Sequence, residues 1–319
     1  MKALRISPTG AIGRLPVVAG LVLLGVLLLG AIGASVAAAG PKIAFTVGDS
    51  TRGSDGIWTV AADGSQLKQL TSGPAYDMAP AWSAGRGSIA FIRSESGYVY
   101  DRKAWVVVMR SDGSNQRRLT YSGPSLTSGS HALAYSPDGR YLAGGTSLKH
   151  NGNYGQYWGI TVLDLKARTS RVVYRYPCEN GIQSLAWSAD SRQLVATVEY
   201  GGGYGMFRVD VPGNRLIQDY HGTLNRTWAS WRADGRYLLV VTCPVADPTA
   251  AAAIQRMRPD GRKVRTVATG QSLPVYAPTG DHYAFSKGEA ICYADGDGSH
   301  VRTVLTLSDG HAPSYLAWR

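Results

Sequence analysis

The chain has 319 residues, with 33 Lys and Arg against 22 Asp and Glu, a formal charge of +11. Apolar residues make up 44% and charged residues 17%, an ordinary globular balance that excludes wholesale disorder. Three scattered cysteines exclude a disulfide-framework miniprotein, and no Cys-x-x-Cys pair supports a zinc knuckle.

Residues 1–14 form a basic flank with Lys2, Arg5 and Arg14 and no acid. Leu15 to Pro41 carries no charge, and Val17–Ala34 is an apolar run of 18 residues. A bilayer span needs roughly 20 such residues. Gly20, Gly25, Gly30 and Gly33 weaken a helix in water but are common in membrane helices. The segment 15–39 is therefore expected to be one hydrophobic helix, kept as a transmembrane anchor or cleaved as a signal after Ala39. The basic flank stays cytoplasmic, which sends residues 40–319 outside the cytoplasm.

From Lys42 onward the chain repeats. One phrase is an aromatic residue, then Ser-x-Asp-Gly-Arg, then an apolar strand, as in AYSPDGRYLAG over 134–144. Its anchors are Trp82, Tyr135, Trp187, Trp231, Tyr276 and Trp318, spaced by 53, 52, 44, 45 and 42 residues. A second phrase lies between them: an apolar strand, Asp-Gly-Ser, and a strand ending near Leu-Thr, as in WVVVMRSDGSNQRRLT over 105–120. Asp-Gly between strands is a strong hairpin signal, and Ser-Pro-Asp-Gly favours a tight turn. Each repeat reads as four short antiparallel strands, a to d. Units of roughly 40–50 residues with four strands indicate a β-propeller. The expected fold is all-β, a six-bladed β-propeller over 40–319. The chain begins on strand b at Lys42 and ends on strand a at Trp318. The last strand is therefore expected to complete blade one and close the ring.

The phrase Trp-Ser-x-Asp-Gly-x-x-Ile-Ala-Phe followed by the Asp-Gly hairpin resembles the repeat of TolB-type propellers over residues 42–319. That family includes periplasmic protein-interaction modules, propellers fused to serine peptidases and many secreted proteins. TolB also carries an N-terminal α/β domain, which has no counterpart between the apolar run and Lys42. The resemblance implies the propeller fold and leaves the role open.

Chemical motifs are sparse. Asp295-Gly-Asp297-Gly-Ser299 opens like a calcium loop, but His300 and Thr306 stand where that loop needs Gly and Glu, so it reads as a turn. Gly201-Gly202-Gly203-Tyr204-Gly205 lacks the Lys-Ser/Thr of a phosphate loop. There is no G-x-S-x-G elbow. The histidines, His131 among them, read as surface or turn residues. No residue is assigned to catalysis or to a metal, and no cofactor is implied. The repeated Trp and Tyr anchors read as packing between blades.

Strand direction puts the a–b and c–d turns at one end of the ring and the b–c and d–a connections at the other. The long b–c loops are expected at Gly48–Gly56, Ser94–Lys103, Ser147–Tyr157, Glu199–Gly205 and Pro244–Ala253. They carry Tyr98, Tyr100, Arg102, Lys103, Tyr154, Tyr157, Trp158, Tyr200 and Tyr204. Tyrosine with arginine is typical of interface anchors. The alternative is that these tyrosines pack on neighbouring loops. The expected function is a non-catalytic binding module, monomeric and tethered to the membrane or secreted. Its partner is a protein or an anionic cell-envelope component, with nucleic acid excluded by export. The alternative is a propeller enzyme, lactonase-like or quinoprotein-like, with its site in the central channel. Cys178 and Cys243 fall on the long-loop face of neighbouring blades and are expected to pair, leaving Cys292 free.

Overall fold

The structure, a computed structural model, describes residues 40–319 apart from 50–53, 86, 97–102, 128–129, 151–152, 178–179, 201–202, 221, 223, 245–250, 271 and 309. The expected N-terminal segments 1–14 and 15–39 lie outside the described residues. Among the described residues no helix is long and apolar enough to cross a membrane.

Six four-stranded antiparallel sheets form the six blades. Their inner strands are Pro313–Trp318 in blade one, Tyr76–Trp82 in two and Ala134–Tyr135 in three. They continue as Asn180–Trp187 in four, Leu224–Trp231 in five and Ser272–Tyr276 in six. In blade one the last strand pairs with Lys42–Asp49, setting Ile43 opposite Trp318 and Val47 opposite Pro313. The Lys42 N–H donates to the Arg319 carbonyl at 2.7 Å, and the Arg319 N–H returns the bond at 3.0 Å.

The second strands explain the architecture. Ile89-Ala90-Phe91-Ile92 is buried without alternation, as are Leu194-Val195-Ala196 and Tyr283-Ala284-Phe285. A strand that is apolar on both faces must be covered on both faces. Stacking each blade between two neighbours does this. The aromatic anchors serve the same interfaces: Trp82, Trp187, Tyr276 and Trp318 are buried. Trp187 Nε1 also donates across the interface to the Ala134 carbonyl in blade three at 3.0 Å.

The turns follow their chemistry. Asp138 Oδ1 accepts the Ser136 hydroxyl at 2.5 Å and the Arg140 N–H at 3.0 Å, while Gly139 holds φ 73°. The calcium-like segment is a hairpin turn: Asp297 Oδ1 accepts the Ser299 N–H at 2.9 Å, and Gly298 holds φ 90°. These turns also latch the ring. Lys68 Nζ in blade one reaches the Asp112 carbonyl in blade two at 2.8 Å. Arg171 in blade three donates to the Val211 carbonyl in blade four at 2.9 Å.

Three of the expected long loops are mainly strand. Tyr141–His150 pairs with Asn153–Asp164 as far as His150 opposite Asn153. Gln193–Tyr200 pairs with Gly203–Asp210 as far as Tyr200 opposite Gly203. Lys42–Asp49 pairs with Ser54–Ala61 as far as Asp49 opposite Ser54.

Candidate binding site in the central channel

Each inner strand is the terminal strand of its sheet, so one of its edges faces the channel. In blades two, five and six the pairing with the second strand shifts register, between Met78 and Ala81, Thr227 and Ser230, and Ser272 and Val275. In blade one the shift falls opposite Ala44 and Thr46. Each bulge holds a non-glycine residue in the left-handed region: Ala79 at φ 54°, Trp228 at 51°, Leu273 at 54° and Tyr315 at 51°. All four sit three positions before the aromatic anchor. For bulky residues this backbone is costly, of order 1–3 kcal/mol each, and such strain concentrates at functional sites. A bulge turns its side chain away from the blade faces that the neighbouring residues cover. In blade three the segment before the inner strand instead leans on blade four, where the His131 N–H donates to the Ile182 carbonyl at 2.9 Å.

Two of the bulge side chains, Tyr315 and Trp228, meet each other, and Tyr315 also meets His131. His131 Nδ1 lies 2.9 Å from the Tyr315 hydroxyl, and the two rings are 1° from parallel with centroids 6.2 Å apart. The rings are parallel and widely offset, so they meet at their edges through this hydrogen bond. The Trp228 ring meets Tyr315 at 71° and 5.9 Å. These residues come from blades three, one and five, so they converge across the channel as an aromatic septum. The other blades contribute Ala79, Gln183 and Leu273 at this level, which leaves room for the large rings. Burial holds the His131 imidazole below its ordinary pKa, in the neutral form.

Between the septum and the a–b turns lies a cavity of about 430 Å³. It is lined by all six inner strands and bounded at the turn end by Pro137, Ala189, Ala233 and Pro278. Arg232 stands at this mouth, 3.6 Å from Asp234 and 3.5 Å from Asp281. The size falls within the range of roughly 300–1,000 Å³ typical of ligand pockets. The cavity therefore lies on the short-turn side of these rings, away from the b–c hairpins.

Among the described residues, none of those expected to bind lines this cavity. Tyr98, Tyr100 and Arg102 are outside the described residues. Lys103 is exposed just before the strand Ala104–Arg110. Tyr154 pairs with Lys149 and Tyr200 with Gly203 in the backbone ladders of the hairpins. Tyr157 and Tyr204 are half-buried in strands. Trp158 corrects the sequence reading: it is 3% exposed and belongs to the core between blades three and four, because its strand continues through the expected loop. Of the expected disulfide, Cys178 is outside the described residues and Cys243 is half-buried. Cys292 is a buried free thiol, and burial raises its pKa. Among the described residues no group of three His, Cys, Asp or Glu is placed to hold a metal. The septum residues were not singled out from the sequence. Their common signal is position, three or four residues before each anchor, rather than residue type.

No family model and no curated protein matches the chain. Among solved structures it is similar to TolB from Acinetobacter baumannii, at 19% identity and a TM-score of 0.67 over 87% of this chain. It spans 66% of that TolB's length. A protein described as a TolB from Agrobacterium tumefaciens matches at 16% identity and a TM-score of 0.61, over 88% of this chain and 98% of its own. The nidogen/laminin complex contains a chain matching at 11% identity and a TM-score of 0.62, over the same two shares, 88% and 98%. Two enzymes share the architecture at lower similarity: puromycin hydrolase at a TM-score of 0.54, and oligogalacturonate lyase in complex with manganese at 0.56. The chain has the six-bladed fold of the TolB-type propellers.

Proposed function

We propose that this chain is an exported, membrane-tethered, non-catalytic binding module that holds a cell-envelope component in its central channel. The observation that carries this reading is the cavity of about 430 Å³ between the aromatic septum and the short turns. Strained bulges at Trp228, Leu273 and Tyr315 are retained where they shape its floor. The sequence reading put the contact surface on the long-loop face; the cavity favours the opposite face. Native mass spectrometry of protein purified from its own membranes tests the proposal. Wild type is expected to carry a bound adduct, and Ala186→Phe, which narrows the cavity, to lose it while melting as wild type does. An adduct kept by the variant overturns the assignment.

One observation favours the enzyme alternative. His131 and Tyr315 share a hydrogen bond at the cavity floor, a pair of groups that can exchange a proton. Turnover of a lactone or oligosaccharide by wild type, abolished in His131→Gln, would establish it.

A further inference from the structure

We propose that the short-turn face docks on an anionic lipid bilayer, so that the mouth of the channel opens toward the membrane. The inference rests on the reading of residues 15–39 as a retained anchor, and adds a surface and a partner to it.

The first observation is where the chain enters the propeller. Lys42 begins the second strand of blade one, and that strand starts at the short-turn end, hydrogen-bonded to Arg319 at the end of the last inner strand. The apolar run ends at Ala34, eight residues earlier. Eight residues reach at most about 28 Å when fully extended. An anchor in the bilayer therefore holds this face, rather than the hairpin face, close to the headgroups.

The second observation is the distribution of charge. Among the described residues, Lys and Arg at the short-turn end outnumber Asp and Glu there. Arg140, Arg192 and Arg236 follow the a–b turns, and Lys166, Arg168 and Lys263 sit on c–d turns, all exposed. The acids of this face are exposed as well but fewer, and they are tied to their turns. Asp63, Asp112, Asp138, Asp190, Asp234 and Asp260 each accept backbone N–H groups of their own turns. At the hairpin end Glu95, Glu199 and Glu289 offset Lys103, Arg175 and Lys287. The basic charge of the exported part thus lies on the face that carries the tether, where an anionic leaflet attracts it within a Debye length.

The third observation is apolar. Val264 is 49% exposed and Val301 is 52% exposed. Both follow c–d turns, in adjacent blades five and six, on this same face. Basic residues around protruding apolar side chains are the composition of an interfacial membrane contact.

Amine-reactive footprinting of the full chain in nanodiscs tests the proposal. Discs of phosphatidylcholine alone are compared with discs holding phosphatidylglycerol, at low and high salt. Lys68, Lys166 and Lys263 are expected to be protected several-fold in the anionic discs, with the protection lost at high salt. Lys103 and Lys287 are expected to react equally in both. A variant with Arg192→Glu, Arg236→Glu and Val264→Ser should lose the protection while keeping its melting temperature. Equal labelling in both discs, protection of the hairpin lysines, or protection seen only after a protein is added, would each overturn the proposal. Failure of the chain to enter discs would overturn it through the anchor instead, and leaves the cavity assignment standing.

Discussion

His131 and Tyr315, 184 residues apart, share a 2.9 Å hydrogen bond across the channel, with their rings parallel to within 1°. The contact exists only because the ring brings blade three and the last strand of blade one to the same axis.

Its first consequence is a dependence on pH. Burial depresses the His131 pKa in the folded protein, so between that value and about 6.5 the unfolded chain binds the extra proton. Stability from this group is complete above pH 6.5 or so and falls as the pH drops toward the folded pKa, by at most about 1.4 kcal/mol per unit. Urea unfolding at pH 7 and pH 5 should show the loss in wild type and a smaller one in His131→Gln.

A buried ion pair is the second test. Asp77 is 3% exposed and is held by Arg93 through two bonds, Nε to Oδ1 at 2.6 Å and Nη2 to Oδ2 at 2.7 Å. Removing one partner leaves a buried charge, a loss of about 3–5 kcal/mol. Arg93→Ala, which leaves the buried Asp77 carboxylate unpaired, should lower the urea midpoint sharply. Asp55 lies near enough that Asp77, together with burial, raises its pKa. Its folded pKa above the unfolded value means a stabilising contribution gained on acidification, which Asp55→Asn should abolish.

The third concerns the last strand. Pairing of Pro313–Trp318 with Lys42–Asp49 leads to the expectation that it closes the ring. Deleting residues 312–319 removes a buried Trp318, about 1.5–3 kcal/mol for its side chain alone, and opens an edge that invites aggregation. A truncated protein that melts and sediments as the full one does would refute this role.

The fourth is steric. A Cβ at Gly298 would lie 1.9 Å from the Val267 carbonyl oxygen of the preceding blade. With φ at 90° as well, Gly298→Ala should destabilise by more than about 1 kcal/mol in chemical denaturation.

How much of this was legible varies by feature. The blades were, because Trp82, Tyr135 and Trp187 recur with Asp-Gly turns between apolar strands, and each repeat has the same local chemistry. The long loops were misread because the strands Tyr141–His150, Asn153–Asp164, Gln193–Tyr200 and Gly203–Asp210 run on through them, which is why Trp158 is core rather than surface. The septum was invisible because His131, Trp228 and Tyr315 share a position before their anchors and no side-chain type. Polarity of charge does not appear in a net sum. It emerges only when strand direction assigns Arg192 to one end and Glu199 to the other.

The central claim is that ligand enters the channel from the short-turn side. Hydrogen exchange, with and without the envelope fraction that raises the melting temperature, tests it most directly. Slowed exchange is expected in the inner strands over 228–232 and 273–277, with no change in the hairpins around Tyr200 and Gly203. Protection confined to the hairpins, with the inner strands unchanged, would contradict it.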